Sequence, residues 1–479
     1  MSEVKLVTHS HSAPDVYDLA IVGCGAAALA AACAALESSP DLSVVLLERT
    51  SEAERGGNTK WSSSFFRTAD DKAPADGFEE DFEDFTQGMA DAEYVRRLRE
   101  NTQETLRWVE SKGVSFEMVP MFFLTGSKPR LGISGGGASI VDKLSSHAES
   151  LGAEIRYQHT ATELLTEGEG SAVRVVGVRC ETPQGAVEVP ARTVLLGSGG
   201  YQGNAELMLE SFGHHAEFLK PVARGGGYNR GEGIAMALAA GAAKAGEWPN
   251  FHGEPVDPRS TLCEPVVMTF PYGILVNSDA KRFVNEGLST VDEIYEDTCR
   301  AIFAQPGNLS YLIADHRLLE LDGFERATLT DRAAYTAPTL EELAKRLDLD
   351  PEALVATIEE YNRAERPEGV EFDATKADGL SASGITPAKS NWARTIDEPP
   401  FVAYPVSTAI CFTYGGVAVD TDGRVIREDG SWVQGLWAAG EMTGLYYDKY
   451  PGATSVLRSL VFGRIAADDA VDHLGRAEG

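Results

Sequence analysis

The chain has 479 residues, enough for two or more domains with a sizeable core, and its 43% apolar and 24% charged content is ordinary for a globular protein. Its 42 Lys and Arg stand against 73 Asp and Glu, a net charge of -31. That balance excludes nucleic acid and anionic membrane surfaces as partners, since both demand basic patches.

The opening stretch MSEVKLVTHSHSAPD has no apolar core of signal-peptide length, and no window approaches a membrane span. The expectation is a soluble, cytoplasmic protein with no membrane span. Six cysteines (Cys24, Cys33, Cys180, Cys263, Cys299, Cys411) form no C-x-x-C pair, so reduced thiols are expected, with neither disulfides nor a metal site. The acidic run from Asp70 to Asp84 reads as a solvated helix face or loop.

In chain order, the first strong signal is YDLAIVG, a buried strand from Tyr17 that ends in glycine. GCGAAA follows, with Gly23, Gly25 and Ala28 in G-x-G-x-x-G/A spacing, then an Ala-rich helix to about Ser38. A second strand, SVVLLE, ends at Glu48, twenty residues after Ala28. Strand, turn, helix and acidic strand end together make a dinucleotide fingerprint. Gly23 permits the tight turn, Gly25 lets a pyrophosphate approach the backbone, and Ala28 keeps the helix close to the strand. The Glu48 carboxylate suits a ribose diol.

The next segment, ERGGNTKWSSSFFR, sets a Gly-Gly-Asn-Thr turn and three serines after the second strand. Small polar residues there suit a diphosphate and the edge of a second ring system, which favours FAD over NAD. Later, the hairpin-like strands AVRVVGVRC and AVEVPA precede ARTVLLGSGGYQGN, a strand ending in Gly197, Gly199 and Gly200. The amphipathic run Thr339 to Glu365 reads as two helices, the second starting at Pro351.

With GGNTKWSSS, HTATELL, LLGSGGYQGN, NRGEGIAMALAAGA, GILVNSDAKRFVNE, YGGVAVDTDGRVI, GLWAAGEMTG and DKYPGATSVLRSLVFGRIAA, the chain resembles the FAD-dependent fumarate reductase and succinate dehydrogenase flavoprotein superfamily over nearly its whole length. In flavour it resembles the 3-ketosteroid desaturases and tricarballylate dehydrogenases. The resemblance implies an α/β fold with an α+β cap: a Rossmann-like FAD-binding domain built from both chain ends (1-253 and 406-479), with a capping substrate domain (254-405) inserted. Its FAD contacts fall here on Gly23, Gly25, Ala27, Ala28, Glu48 and Arg49 around the first turn. Gly57, Asn58, Thr59 and Ser63 follow, then Ala161, Gly199, Gly200 and Glu441, and finally Ser455 and Val456 at the last helix, whose N–H groups are expected to stabilise reduced flavin. Covalent members carry a His-Thr pair where this chain has Asn58-Thr59, so FAD is expected to be bound non-covalently.

The resemblance also exposes departures. GLSTVDEIY, which follows RFVNE, holds no Arg where fumarate reductases place a proton-delivering one, Thr290 stands where the ketosteroid enzymes place a base Tyr, and Phe412 or Thr413 stands at a substrate His. Tyr450 stands fourteen residues before Arg464, where those enzymes carry an Arg clamp; His252 in NFHGEP does match. A fumarate or succinate role is thereby disfavoured.

KYPGAT instead resembles the ketosteroid turn in which a Tyr hydroxyl and a backbone N–H polarise the substrate ketone, implicating Tyr450 and the Thr454 amide. The base candidates are Tyr295, then Tyr414, and His252 either binds a substrate carboxylate or packs against the flavin domain. The expected function is a desaturase forming a C=C bond α,β to a ketone, on a small cyclic ketone such as an oxocyclohexanecarboxylate or on a 3-ketosteroid, with an unknown electron acceptor. A tricarballylate-like polycarboxylate dehydrogenase is the alternative, with Arg394 and Arg458 as its pocket arginines; a flavin-binding protein without turnover is a third. His9, His11, His147, His214 and His215 read as surface residues.

Overall fold

The first strand, Tyr17–Val22, is buried on both faces, as a strand covered by helices on either side must be. The computed structural model describes residues 14–118, 130–168, 170 and 173–477, so His9 and His11 lie outside the described residues. Tyr17–Val22 pairs in parallel with Val44–Leu47 on one side and with the C-terminal half of Gly185–Leu196 on the other. Val44–Leu47 pairs in turn with Glu154–Arg156, and Leu196 runs parallel to Ala438 of the late strand Trp432–Ala438. The result is a mixed sheet with a parallel core, the expected α/β frame.

The two segments AVEVPA and ARTVLL form one strand, Gly185–Leu196, where separate pieces were expected. Pro190 marks the handover. Up to Pro190 the strand pairs antiparallel with Arg174–Thr182, and from Ala191 it runs parallel to Tyr17–Val22. Proline lacks a ladder donor, and a change of partner is where that loss is tolerated.

Helix Ala26–Ser38 is buried from Ala26 to Leu36 because it lies between this sheet and the final helix, Ser455–Ala477. The crossing is close: a Cβ on Gly463 would lie 2.3 Å from the Ala27 carbonyl oxygen. The two ends of the chain thus share one core, which includes Ala27, Ala31, Leu460 and Phe462.

A second, largely antiparallel sheet runs Phe251–Val256, Phe401–Thr413, Ser310–Asp315, Ile274–Val276. The two helices expected between Thr339 and Glu365 are Leu340–Arg346, capped by Thr339, and Pro351–Arg363, capped by Asp350 with Pro351 in its first turn. The expected joins 253/254 and 405/406 both fall inside strands of this sheet, Phe251–Val256 and Phe401–Thr413, which pair with each other. That strand pair carries one irregularity: His252 faces Phe412 but Gly253 faces Ile410, so Cys411 is an extra residue.

The acidic run includes helix Phe78–Phe85, which buries Phe78 and Phe82 and leaves Glu80, Glu83 and Asp84 exposed, a solvated helix face as expected. One local expectation needs correction. His147 is not a free surface residue; it is half-buried and its Nε2 lies 2.7 Å from Glu37. Among the described residues no helix is long and apolar enough to cross a membrane, and the six cysteines are free.

Candidate active site

A cleft of about 1690 Å³, including the solvent at its mouth, runs from the first glycine turn to the start of the final helix. At one end Gly23 adopts φ +107°, and a Cβ there would lie 2.6 Å from the Gly197 carbonyl oxygen, so only glycine lets the two strand ends approach. Gly25, Ala26 and Ala27 line the cleft at the start of helix Ala26–Ser38, and the Ala26 N–H reaches Thr59 Oγ1 at 3.1 Å. Glu48 closes this end. Its Oε1 accepts the N–H and the hydroxyl of Thr50, each at 2.8 Å, while burial raises its carboxyl above the usual range. Arg49 is held by Glu232 and by the Tyr228 carbonyl.

Gly57, Asn58, Thr59 and Ser63 line the middle of the cleft, with Ala161, Gly199 and Glu441 opposite. The expected Gly-Gly-Asn-Thr turn is a short helix, Gly57–Trp61. Asn58 Nδ2 donates to the carbonyl of Cys411 at 2.6 Å, a carbonyl that the bulge turns out of its ladder. Glu441 accepts from Asn229 Nδ2 at 2.9 Å and from the Thr413 N–H at 3.3 Å. Burial pushes its carboxyl up to about 7, against the N–H groups of Thr413 and Gly200 and the charge of Arg458. Ala28 and Gly200 do not line the cleft but shape it. Ala28 packs under Gly197, and a Cβ on Gly200 would lie 2.3 Å from Glu441 Oε1. Glycine approach, a helix start suited to a diphosphate and a carboxylate at the strand end together fit the adenine-dinucleotide half of FAD.

At the far end, the final helix begins against Tyr450. Its hydroxyl oxygen accepts the N–H groups of Thr454 and Ser455, each at 2.8 Å, and its O–H reaches Ser455 Oγ at 3.1 Å. This corrects two expectations. The Thr454 amide is not a second donor facing the cleft, and the Ser455 amide is not turned toward a flavin. Both N–H groups are spent on Tyr450. A phenol oxygen that accepts two N–H bonds at a helix start makes its own proton a better donor.

His252 lies beside Tyr450, ring centroids 4.5 Å apart. Its Nδ1 lies 2.9 Å from Glu296 Oε1, and since a carboxylate only accepts, the imidazole donates. Glu296 also accepts from the Tyr414 hydroxyl at 2.7 Å and from the Tyr450 N–H at 2.9 Å. Tyr414 therefore points away from the cleft. Burial, and next the Glu296 charge, raise the hydroxyls of Tyr414 and Tyr295 well above their usual range. Tyr295 does line the cleft, but a phenol pushed upward is a poor base.

Arg130, Glu254 and Glu264 are among the cleft residues that escaped the sequence reading. Arg130 faces the cleft with its Nε unpartnered, while its Nη2 lies 3.7 Å from Asp292 Oδ2 and would lie 3.6 Å from a Cβ on Gly452. Glu254 and Glu264 line the cleft together. Glu264 sits at φ +48° and accepts the N–H and hydroxyl of Ser63. Glu254 had a signal: it is two residues beyond His252 on one strand, hence on the same face. Arg130 and Glu264 had none, being brought in by loops.

Of the expected pocket arginines, Arg394 lies over Phe372 and does not line the cleft. Arg458 lines it but is buried, donating to the Thr443 carbonyl and stacking on Tyr446.

An FAD binding domain family matches residues 18–457. The chain is 27% identical over 476 residues to an NADH:fumarate oxidoreductase of Klebsiella pneumoniae, covering 96% of this chain and 48% of that protein. It is 27% identical over 370 residues to a 4-oxocyclohexanecarboxylate 2-dehydrogenase of Sinomonas cyclohexanicum, covering 70% of this chain and 60% of that one. The chain thus spans only half to three-fifths of these relatives. The fold superposes on a 3-ketosteroid-Δ4-(5α)-dehydrogenase of Rhodococcus jostii with TM-score 0.70 at 24% identity, covering 97% and 99% of the two chains. The match over residues 18–457 and the geometry of the cleft agree: this chain belongs to the FAD binding domain family.

Proposed function

We propose that the chain is a dehydrogenase that introduces a C=C bond next to the ketone of a small cyclic oxo acid. Tyr450 carries this reading: a neutral donor, polarised by the Thr454 and Ser455 N–H groups, stands in the cleft where an enolate oxygen would need one. FAD, when bound, supplies the two-electron oxidant that accepts the β-hydride. Tyr450 holds the substrate oxygen and stabilises the charge that develops when the α-proton leaves. Arg130, with an unpartnered Nε, suits a substrate carboxylate at the same end of the cleft and favours an oxo acid over a steroid. The relative from Sinomonas cyclohexanicum is named for such a substrate.

A polycarboxylate dehydrogenase is supported less. It needs several cationic clamps, and of the two arginines expected for it Arg394 does not line the cleft, while Arg458 is buried and gives one N–H to the Thr443 carbonyl. The test is anaerobic mixing of the holoenzyme with 4-oxocyclohexanecarboxylate, a 3-ketosteroid and tricarballylate, following loss of the flavin band. Bleaching by the oxo acid is expected; bleaching by tricarballylate alone would overturn the reading.

A further inference from the structure

Ketone desaturation needs a base for the α-proton, and neither expected tyrosine suits it. Tyr414 is bonded away from the cleft and Tyr295 is a buried phenol beside the Glu296 charge. The cleft holds another candidate. Glu254 lies on strand Phe251–Val256 and lines the cleft, and its Oε2 is buried with no hydrogen-bond partner. A buried carboxyl oxygen left without a partner is costly, and a native fold keeps one where a ligand or a proton will meet it. Its neighbours are chemical groups. A carboxyl oxygen of Glu254, a ring nitrogen of His252 and the Cys411 sulfur all lie within 4.8 Å of one another. The bulge creates this cluster, because an extra residue lets Cys411 and Phe412 both face the cleft.

On the reading proposed above, we infer that Glu254 is the catalytic base that takes the substrate α-proton. The substrate Cα–H bond breaks, its electron pair forms the enolate whose oxygen Tyr450 holds, and the proton ends on the Glu254 carboxyl. The same group returns the proton in the reverse, reductive direction. Burial, and then the charge of Glu264, raise the Glu254 carboxyl, while Arg130 opposes them. His252, Tyr295, Glu296, Cys299 and Cys411 are the other titratable groups around it.

The test separates this inference from the reading it rests on. Holoenzyme with its flavin reduced is incubated in D2O with 4-oxocyclohexanecarboxylate, and deuterium entry at the α-carbon is followed by NMR. Hydride transfer to the flavin is then blocked, so only proton exchange is read. Wild type is expected to exchange, Glu254→Gln to lose exchange by about 10²–10⁴-fold, and Glu254→Asp to recover part of it. In parallel, thermal melts check that the variants fold. Exchange undiminished in folded Glu254→Gln, with loss in His252→Gln, would overturn the inference and make His252 the base. A wild type that neither bleaches nor exchanges with the keto acid would overturn both readings.

Discussion

The phenol oxygen of Tyr450 accepts the backbone N–H of Thr454 at 2.8 Å, and so closes the first turn of the final helix. Removing that oxygen has two effects at once. Tyr450→Phe loses the donor for the enolate and leaves the Thr454 and Ser455 N–H groups without it. We expect kcat to fall about 10²–10³-fold with little change in KM. We expect stability to fall by about 1–3 kcal/mol, read by thermal melting. An unchanged kcat would remove Tyr450 from the chemistry.

Glu296 joins three donors in the core beside the cleft: His252 Nδ1, the Tyr414 hydroxyl and the Tyr450 N–H. Glu296→Ala strands all three in a buried site. Urea unfolding should show a loss of about 3 kcal/mol or more, since each buried orphan costs on the order of 1–3 kcal/mol. Glu296→Gln keeps the volume and an acceptor, and should recover part of the loss.

Glu441 makes the FAD-free protein sensitive to pH. Its carboxyl is raised from 4.5 to about 7 in the fold, mainly by burial. Between those values the native state binds a proton that the unfolded chain has released, so stability falls as pH rises through that window. The slope from this one group is at most about 1.4 kcal/mol per pH unit. Melting temperatures of the apoprotein across this range should decline less in Glu441→Gln than in wild type. Equal slopes would contradict the raised carboxyl.

At the other end of the cleft, Gly23→Ala forces a Cβ to 2.6 Å from the Gly197 oxygen at φ +107°. The variant should purify with little flavin, measured as the ratio of flavin to protein absorbance. For wild type, acid precipitation should leave the FAD in the supernatant; yellow colour in the pellet would mean a covalent link.

Arg130 should act on binding and not on the chemical step. Arg130→Gln is expected to raise KM for 4-oxocyclohexanecarboxylate about 10–100-fold, the worth of a charged hydrogen bond, and to leave that for cyclohexanone unchanged. Equal effects on both ketones would mean that Arg130 shapes the cleft without meeting a carboxylate.

Much of the flavin end was legible because its signals are local. Gly23, Gly25, Glu48, Asn58 and Thr59 lie within forty residues, in a strand, a turn and two helices whose geometry follows from spacing, and all of them line one cleft. The substrate end was less legible. His252 and Tyr450 were found, but the direction of the Thr454 amide was not, because an N–H at a helix start can face a ligand or a side chain with the same sequence. Tyr295 and Tyr414 looked alike as bases, and only packing separated a phenol at the cleft from one turned to Glu296.

By itself the amino-acid sequence determined the dinucleotide frame: the buried strand, the glycine turn, the Ala-rich helix and the acidic end of the second strand. Those features rest on periodicity, glycine and short-range spacing, which operate within a few turns of chain. Only the tertiary structure decided the chemistry of the substrate end. Arg130, Glu254, Glu264 and Glu296 meet His252 and Tyr450 from loops, a strand and a helix spread over more than three hundred residues. Their charge states follow from burial and from one another. The single extra residue at Cys411, which turns its neighbours to the cleft, is a matter of strand register and has no signature in the strand's own sequence.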